Sequence, residues 1–305
     1  MVNFRVENPI RFGTDLWDPS HRFETSWLLP PYALATVRAA FGCYGLFVLL
    51  FQSGYYCTHP SEGGCTAAGD EYSYFTVLTY WGLACYNLTA ALHTFSYART
   101  GTPLLDRLPR PLQALHAFYY TTVTVYPFIV TAVYWGLIYP GVWFTVTYDA
   151  WSNTSEHALN SVFAFFEIVV PRTPAPLWIH AWWIVFVLAL YLTLAYVTYY
   201  TKGFYTYTFL DIQTQGSAIT AGYILGIAVG AVIVFSIVKG VIHLRLWATE
   251  RKGGFEGKFA DKPLGGSRGS GEAGGLEDVE MGRVEKLGSS GGDGSPVSGS
   301  DPRRS

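Results

Sequence analysis

Long apolar runs separated by short polar connections dominate the first 250 residues of the sequence. A helix needs about 20 apolar residues to cross the hydrocarbon core of a bilayer. The pattern predicts six transmembrane helices, near residues 33–52, 75–97, 115–138, 157–173, 177–199 and 219–242. Pro30 and Pro31 favour a helix start before the first span, and Gly and Ala in the last span favour close helix packing. The predicted fold class is therefore all-α, a polytopic bundle of six transmembrane helices.

The positions of Lys and Arg predict how the spans are oriented. Positive side chains concentrate in the N-terminal segment, the second and fourth connections and the start of the tail: Arg5, Arg11, Arg22, Arg99, Arg107, Arg110, Arg172, Arg245, Arg251 and Lys252. The first and third connections carry none, and the fifth carries only Lys202. Cytosolic loops are enriched in Lys and Arg, so both termini are predicted to be cytosolic. The membrane is predicted to be an endomembrane, such as the endoplasmic reticulum, or the plasma membrane.

Composition divides the chain into three predicted regions. These are a cytosolic segment (1–32), a membrane domain (33–247) and a Gly- and Ser-rich cytosolic tail (248–305) that is predicted to be disordered. Charged residues make up only 14% of the chain, against about 25% in soluble domains. Because no basic patch is interleaved with aromatic residues, nucleic acid is not an expected partner.

The four cysteines fall into two groups. Cys57 and Cys65 share a polar connection that is predicted to face the oxidising side, where a disulfide between them is possible. Cys43 and Cys85 lie within apolar helices, where buried and inert thiols are expected.

Polar residues within the apolar runs are the candidate functional residues, because such groups are costly in a membrane. Thr79 follows the start of the second span, and His157 is expected near the first turn of the fourth, capped by Ser152 to Ser155. His157, Asn160 and Glu167 follow a helical spacing that predicts one inward-facing stripe. Tyr207 and Asp211 precede the last span on the same side. These side chains are expected to converge on one pocket.

Simpler structural roles compete with each of these assignments. A threonine within a membrane helix usually bonds the carbonyl four residues earlier, and a lone histidine usually serves packing. Asn160 and Glu167 would then tie helices together.

Four segments, in their order and spacing, resemble the androgen-induced protein family, which includes the androgen-dependent regulator of tissue factor pathway inhibitor. The segments are TSWLLPPYALATVR, YFTVLTYWGL, HALNSVFAFFEIVVPR and GFYTYTFLD, within residues 25–247. The resemblance implies a multipass hydrolase of fatty acid esters of hydroxy fatty acids, with an intramembrane threonine nucleophile and a histidine. Thr79 and His157 match these two residues, and the nearby Thr76 is a decoy in this match. The animal proteins have a second histidine where this chain has Thr154.

The sequence therefore predicts a membrane-embedded lipid ester hydrolase with Thr79 as nucleophile and His157 as general base. Asn160, Glu167, Tyr207 and Asp211 are candidates for supporting roles. Neither a metal nor an organic cofactor is expected. The alternatives are a transporter that uses the intramembrane His and Glu, and a non-catalytic membrane scaffold.

Overall fold

The computed structural model describes residues 17–255, which are almost entirely helical. The α-helices in chain order are α1 (Pro31–Thr58), α2 (Gly64–Asp70), α3 (Phe75–Thr100), α4 (Arg110–Val133), α5 (Thr147–Thr154), α6 (Asn160–Val169), α7 (Ile179–Lys202), α8 (Ile212–Gln215) and α9 (Ser217–Leu246). Within this range the β-structure is one isolated bridge, between Ser26 and Pro171. The prediction of an all-α fold is confirmed.

Four helices are long and apolar enough to cross a membrane. They are Pro31–Thr58, Arg110–Ile138, Ile179–Lys202 and Ser217–Lys252, where α4 and α9 are extended by π-helical turns. Large apolar side chains such as Trp182 and Leu225 lie exposed on their surfaces. Such exposure is expected where lipid rather than water surrounds the protein.

The two other predicted spans coincide with helices that carry more polar residues. The second is α3, and the fourth is a composite of α5, a π-helical turn (Ser155–Leu159) and α6. The composite begins at Thr147, ten residues before the predicted boundary, so the Ser152–Ser155 segment lies within the helix and does not cap it. It ends at Val169, just before Pro171, because proline favours a helix end shortly before it.

Short-range signals fix several helix ends. Pro30 precedes α1 with an extended backbone, and Pro31 occupies its first position. Gly101 at φ 76° follows α3, and Gly203 at φ 80° follows α7. Glycine adopts this left-handed conformation without steric cost, which makes it the usual residue after a helix.

One end of the bundle, here called the disulfide end, contains the Cys57–Cys65 disulfide. This end contains the last residues of α1, the short helix α2 and the first residues of α3. The end of α7 reaches the same place, where Lys202 pairs with Asp70 at 2.7 Å. The possible disulfide is thus present in the structure. Cys43 and Cys85, by contrast, are exposed on their helices; the prediction of burial is wrong because both lie on outward-facing helix surfaces.

At the opposite end, buried charges hold the N-terminal segment and α9 against the bundle. Arg38 on α1 forms two 2.7 Å contacts with the Glu167 carboxylate on α6. The Arg245 guanidinium donates to carbonyls of the segment after α6, including that of Thr173. Arg22 pairs with Glu250, in the π-helical turn (Trp247–Lys252) that extends α9. The first few residues of the predicted tail are therefore helical; 256–305 and 1–16 lie outside the described residues.

The carboxyl group of Glu24 is also buried, next to this network of charges. Its side chain is 1% exposed, and neither carboxyl oxygen has a hydrogen-bond partner among the described residues. Burial, reinforced by the nearby charges of Asp18 and Asp106, raises the pKa of Glu24 to about 8, although Arg38 opposes the shift. Between about pH 4.5 and 8, the Glu24 carboxyl therefore keeps its proton in the folded protein and loses it in the unfolded chain.

We expect Glu24→Gln to flatten the pH dependence of stability. The raised pKa means that the wild-type fold loses stability as pH rises from about 4.5 to 8. The variant lacks this titration, so its advantage over wild type should grow across that window, by up to about 1.4 kcal/mol for each unit of pKa shift. Unfolding in mixed micelles at pH 5, 6.5 and 8 measures the difference. A difference that does not change with pH would contradict the assignment.

Candidate functional site

His157 lies within the π-helical turn (Ser155–Leu159) that interrupts the α5–α6 composite. A π-helical turn carries an extra residue, which rotates the following helix relative to the preceding one. In this turn the consecutive residues Ser155, Glu156 and His157 are all buried, with His157 8% exposed. Because π-turns within helices occur frequently at functional sites, this turn is the local feature that singles out His157.

The His157 ring is held by one hydrogen bond and one stacking contact. Its Nδ1 lies 3.0 Å from the Asn153 carbonyl oxygen, and the ring stacks on Tyr134 at 3.6 Å between centroids. A carbonyl oxygen only accepts hydrogen bonds, so Nδ1 carries the proton. In the neutral imidazole, Nε2 then has a free lone pair. The arrangement is the one that a general base requires.

Thr79 lies on α3, and its hydroxyl is bound to its own helix. The Oγ1 atom donates to the carbonyls of Phe75 at 2.8 Å and Thr76 at 3.0 Å. Among the described residues, Thr79 and His157 form no hydrogen bond with each other. The structure therefore gives Thr79 the local bond that is common for threonine in a membrane helix.

The residues that Thr79 and His157 contact near α4 show how far apart their surroundings lie. Thr79 borders an open groove between α3, α4 and α7, together with Tyr126. His157 instead stacks on Tyr134, which directly follows α4 and lies eight residues beyond Tyr126. Eight residues of helix correspond to roughly 12 Å along its axis. Both residues lie towards the disulfide end, but their side chains are not neighbours.

An apolar cavity of about 200 Å³ lies between α3, α4, α7 and α9. Most of its lining is aliphatic or aromatic, and the hydroxyl-bearing residues are Thr76, Tyr134, Tyr191 and Tyr207. Its wall therefore includes Tyr134, the ring on which His157 stacks. Phe75 and Tyr191 border both this cavity and the groove beside Thr79. Thr76, rather than Thr79, is the threonine that faces the cavity.

The two candidates before the last helix have different environments. The Tyr207 hydroxyl accepts a hydrogen bond from the Phe75 backbone N–H at 3.1 Å, at the start of α3. Burial raises the pKa of Tyr207. Asp211 instead caps the short helix α8 by accepting from the N–H groups of Gln213 and Thr214, and the bond from the Thr214 hydroxyl chiefly lowers its pKa. Of these two residues, Tyr207 lines the cavity.

The predicted inward stripe on α6 is confirmed, but its members contact different partners. Asn160 and Glu167 are 3% and 0% exposed. The Thr131 hydroxyl of α4 donates to the Asn160 side chain at 3.1 Å, whereas Glu167 binds Arg38. Both residues tie helices together. The predicted convergence of the six candidates on one pocket is not present, because about two helical turns separate Asn160 from Glu167.

Arg38 and Glu156 are among the buried charged residues that sequence reasoning did not single out. Arg38 lies within the predicted first span, where an ionisable residue is a functional candidate by default, and Glu156 lies in the π-helical turn, one residue before the predicted fourth span. Arg38 proves to be the partner of Glu167. Glu156 is 5% exposed and precedes His157 directly.

Fold and site together define an all-helical protein with four helices of membrane-spanning length and composition, and with a buried, oriented histidine beside an apolar cavity. Comparison with protein-family models, curated proteins and solved structures finds no match to this chain.

Proposed function

We propose that the chain spans the membrane six times, with both termini in the cytosol. Helix α3 and the α5–α6 composite supply the two spans beyond the four most apolar helices. The 26 residues of α3 correspond to about 39 Å at 1.5 Å per residue, more than the roughly 30 Å hydrocarbon core. Polar residues lower the hydropathy of both segments, and many of these, such as Asn87 and Glu167, are buried in the bundle.

In this orientation the disulfide end faces the lumen or the exterior. The Lys and Arg distribution supports this side, because the connections at the opposite end carry most of the positive charge. An oxidising compartment also suits the Cys57–Cys65 disulfide. The cavity and His157 then lie in the non-cytosolic half of the bilayer.

We further propose that the protein is a membrane-embedded hydrolase of lipid esters, such as fatty acid esters of hydroxy fatty acids. The single observation that carries this proposal is the oriented imidazole of His157. Asn153 fixes its Nδ1–H, and Tyr134 connects its ring to the wall of the apolar cavity. The cavity has the chemistry to take an acyl chain, and His157 Nε2 has the free lone pair of a base.

The resemblance to threonine hydrolases supplies Thr79 as the nucleophile. Its hydroxyl attacks the ester carbonyl, His157 takes the proton and returns it to the departing alcohol, and water then hydrolyses the acyl-threonine. Thr79 must first leave the Phe75 carbonyl by rotation about χ1, for which threonine has two accessible rotamers in a helix. Proton transfer also requires that Thr79 and His157 come within reach of each other, directly or through one water, when substrate binds.

Thr76 is the second candidate nucleophile, and a specific observation favours it. It lines the same cavity as Tyr134 and interacts with the Tyr207 hydroxyl. Thr76 lines the cavity and Thr79 lines the neighbouring groove, so the two threonines face different spaces. Variants at each position separate them.

We expect purified protein in nanodiscs to react with a fluorophosphonate probe and to hydrolyse a panel of lipid esters. Thr79→Val and His157→Phe should abolish labelling and lower ester hydrolysis at least about a hundredfold. Phenylalanine retains a ring to stack on Tyr134 but has no base. Thr89→Val is the control, because Thr89 bonds its own helix in the same way, at 2.8 Å from the Cys85 carbonyl.

Three outcomes of this experiment distinguish the two candidate nucleophiles and test the hydrolase mechanism itself. Loss of labelling and ester hydrolysis in Thr79→Val, with both retained in Thr89→Val, supports Thr79 as the nucleophile. Loss of labelling and ester hydrolysis in Thr76→Val alone would assign the nucleophile to Thr76, one turn earlier on α3, and would leave the hydrolase proposal standing. Wild-type protein that neither reacts with the probe nor hydrolyses any ester, or labelling unchanged in the Thr79 and His157 variants, would refute the proposed mechanism.

A further inference from the structure

Two carboxylates approach the Gln52 side chain at the disulfide end of the bundle. Glu71 lies in the 3₁₀ turn (Glu71–Ser73) before α3, and Glu156 in the π-helical turn before α6. Gln52 of α1 lies between them: its amide donates to Glu71 at 3.3 Å and is a hydrogen-bonding neighbour of Glu156, which also interacts electrostatically with Glu71. Three separate parts of the chain therefore build this cluster.

Neither carboxylate has a positively charged partner in the part of the chain that the structure describes. Lys202 reaches the same segment, but its ammonium binds the neighbouring Asp70 at 2.7 Å. Two like charges near each other, away from water, strongly disfavour joint ionisation.

Unpartnered oxygen atoms surround the pair. Oε1 of Glu156 and the hydroxyls of Tyr80 and Tyr148 are buried without a hydrogen-bond partner among residues 17–255. Tyr80 is only 2% exposed, and both hydroxyls interact electrostatically with Glu156. A buried polar atom without a partner destabilises a fold, so the three atoms around Glu156 point to an interaction that the protein alone does not provide.

The donor atoms indicate the chemistry of the missing partner. The unpartnered atoms are oxygens of a carboxylate and two hydroxyls, and hard cations prefer such ligands. Gln52 faces Glu71 with its amide N–H and would hold that carboxylate in place. No group of three or more His, Cys, Asp or Glu side chains with metal-binding geometry occurs among the described residues. That excludes a thiolate- or imidazole-rich centre from this part of the chain. Two carboxylates with neutral oxygens and water suit Ca²⁺, which accepts six to eight oxygen ligands at flexible positions.

We propose that Glu71 and Glu156, with Gln52, Tyr80 and Tyr148, form a binding site for a hard divalent cation, with Ca²⁺ the ion that fits best. The site does not depend on Thr79 or on hydrolysis. In the proposed orientation it faces the lumen or exterior. Ion binding would fasten the segment between α1 and α3 to the α5–α6 composite, because the two carboxylates belong to these two elements.

Equilibrium binding of radioactive Ca²⁺ to chelator-washed protein in uncharged nanodiscs tests the proposal. At pH 8 we expect one ion per chain with a Kd on the order of 10⁻⁵–10⁻³ M. Glu156→Gln and Glu71→Gln should each weaken binding at least tenfold. Asp70→Asn should bind as wild type does, because the Asp70 carboxylate is the neighbour that pairs with Lys202.

A pH series and a stability measurement complete the experiment. Lowering pH from 8 to 6 should weaken Ca²⁺ binding, since protons compete for the carboxylates. In chelator, both Gln variants should be at least as heat-stable as wild type, because they remove charge repulsion; lost binding then cannot reflect misfolding. The absence of saturable binding by wild type, or affinity unchanged in Glu156→Gln, would overturn the proposal and leave a carboxylate pair that shares a proton.

Discussion

Replacing Arg38 by methionine should lower the free energy of unfolding by about 3–5 kcal/mol, because the Glu167 carboxylate would be buried without its partner. The two side chains are 1% and 0% exposed. The guanidinium also donates to the Phe23 carbonyl and the Thr94 hydroxyl, each at 2.7 Å. One side chain thus connects α1, α3, α6 and the N-terminal segment.

The double variant Arg38→Met/Glu167→Leu is the matched control. It removes both charges and keeps apolar volume, so most of the stability should return; replacement of a buried ion pair by apolar residues is often neutral or stabilising. Unfolding in mixed micelles measures all three proteins. Equal destabilisation by the single and double variants would show that the charge pair itself, rather than an unpaired carboxylate, supplies the stability.

Gly45→Leu should be the second strongly destabilising change, by about 3 kcal/mol, the upper part of the usual range for overpacking. A Cβ atom at Gly45 would lie 2.9 Å from the Ala84 Cβ atom on α3. Ala84 has no flexible side chain that could move away, so α1 and α3 would have to separate. Close approach at small residues is a main source of helix association in membranes.

Gly54 provides the control on the same helix, since a Cβ atom there would meet nothing within 4 Å. Gly54→Leu should therefore leave the midpoint of thermal unfolding nearly unchanged. The exchange Gly45→Ala/Ala84→Gly should be more stable than Gly45→Ala alone, because it moves one methyl group across the same contact. If Gly45→Leu and Gly54→Leu melted alike, close packing of α1 on α3 would not limit stability.

The sequence by itself determined the helices and many of their ends. Apolar length and proline are local properties, so Pro30 and Pro31 marked the start of the first helix directly. The spacing of His157, Asn160 and Glu167 correctly predicted a buried stripe, since these residues are the polar exceptions on an apolar helix. The π-helical turn was not predictable, because one inserted residue leaves no compositional signal.

Only the tertiary structure decided which of these side chains meet. Arg38 with Glu167 joins segments that are distant in sequence, and Thr79 bonds its own helix instead of His157. The physical reason is that a membrane helix is apolar on its lipid-facing and its inward-facing sides. Periodicity then reveals little about helix rotation or register, and both are set by packing between helices.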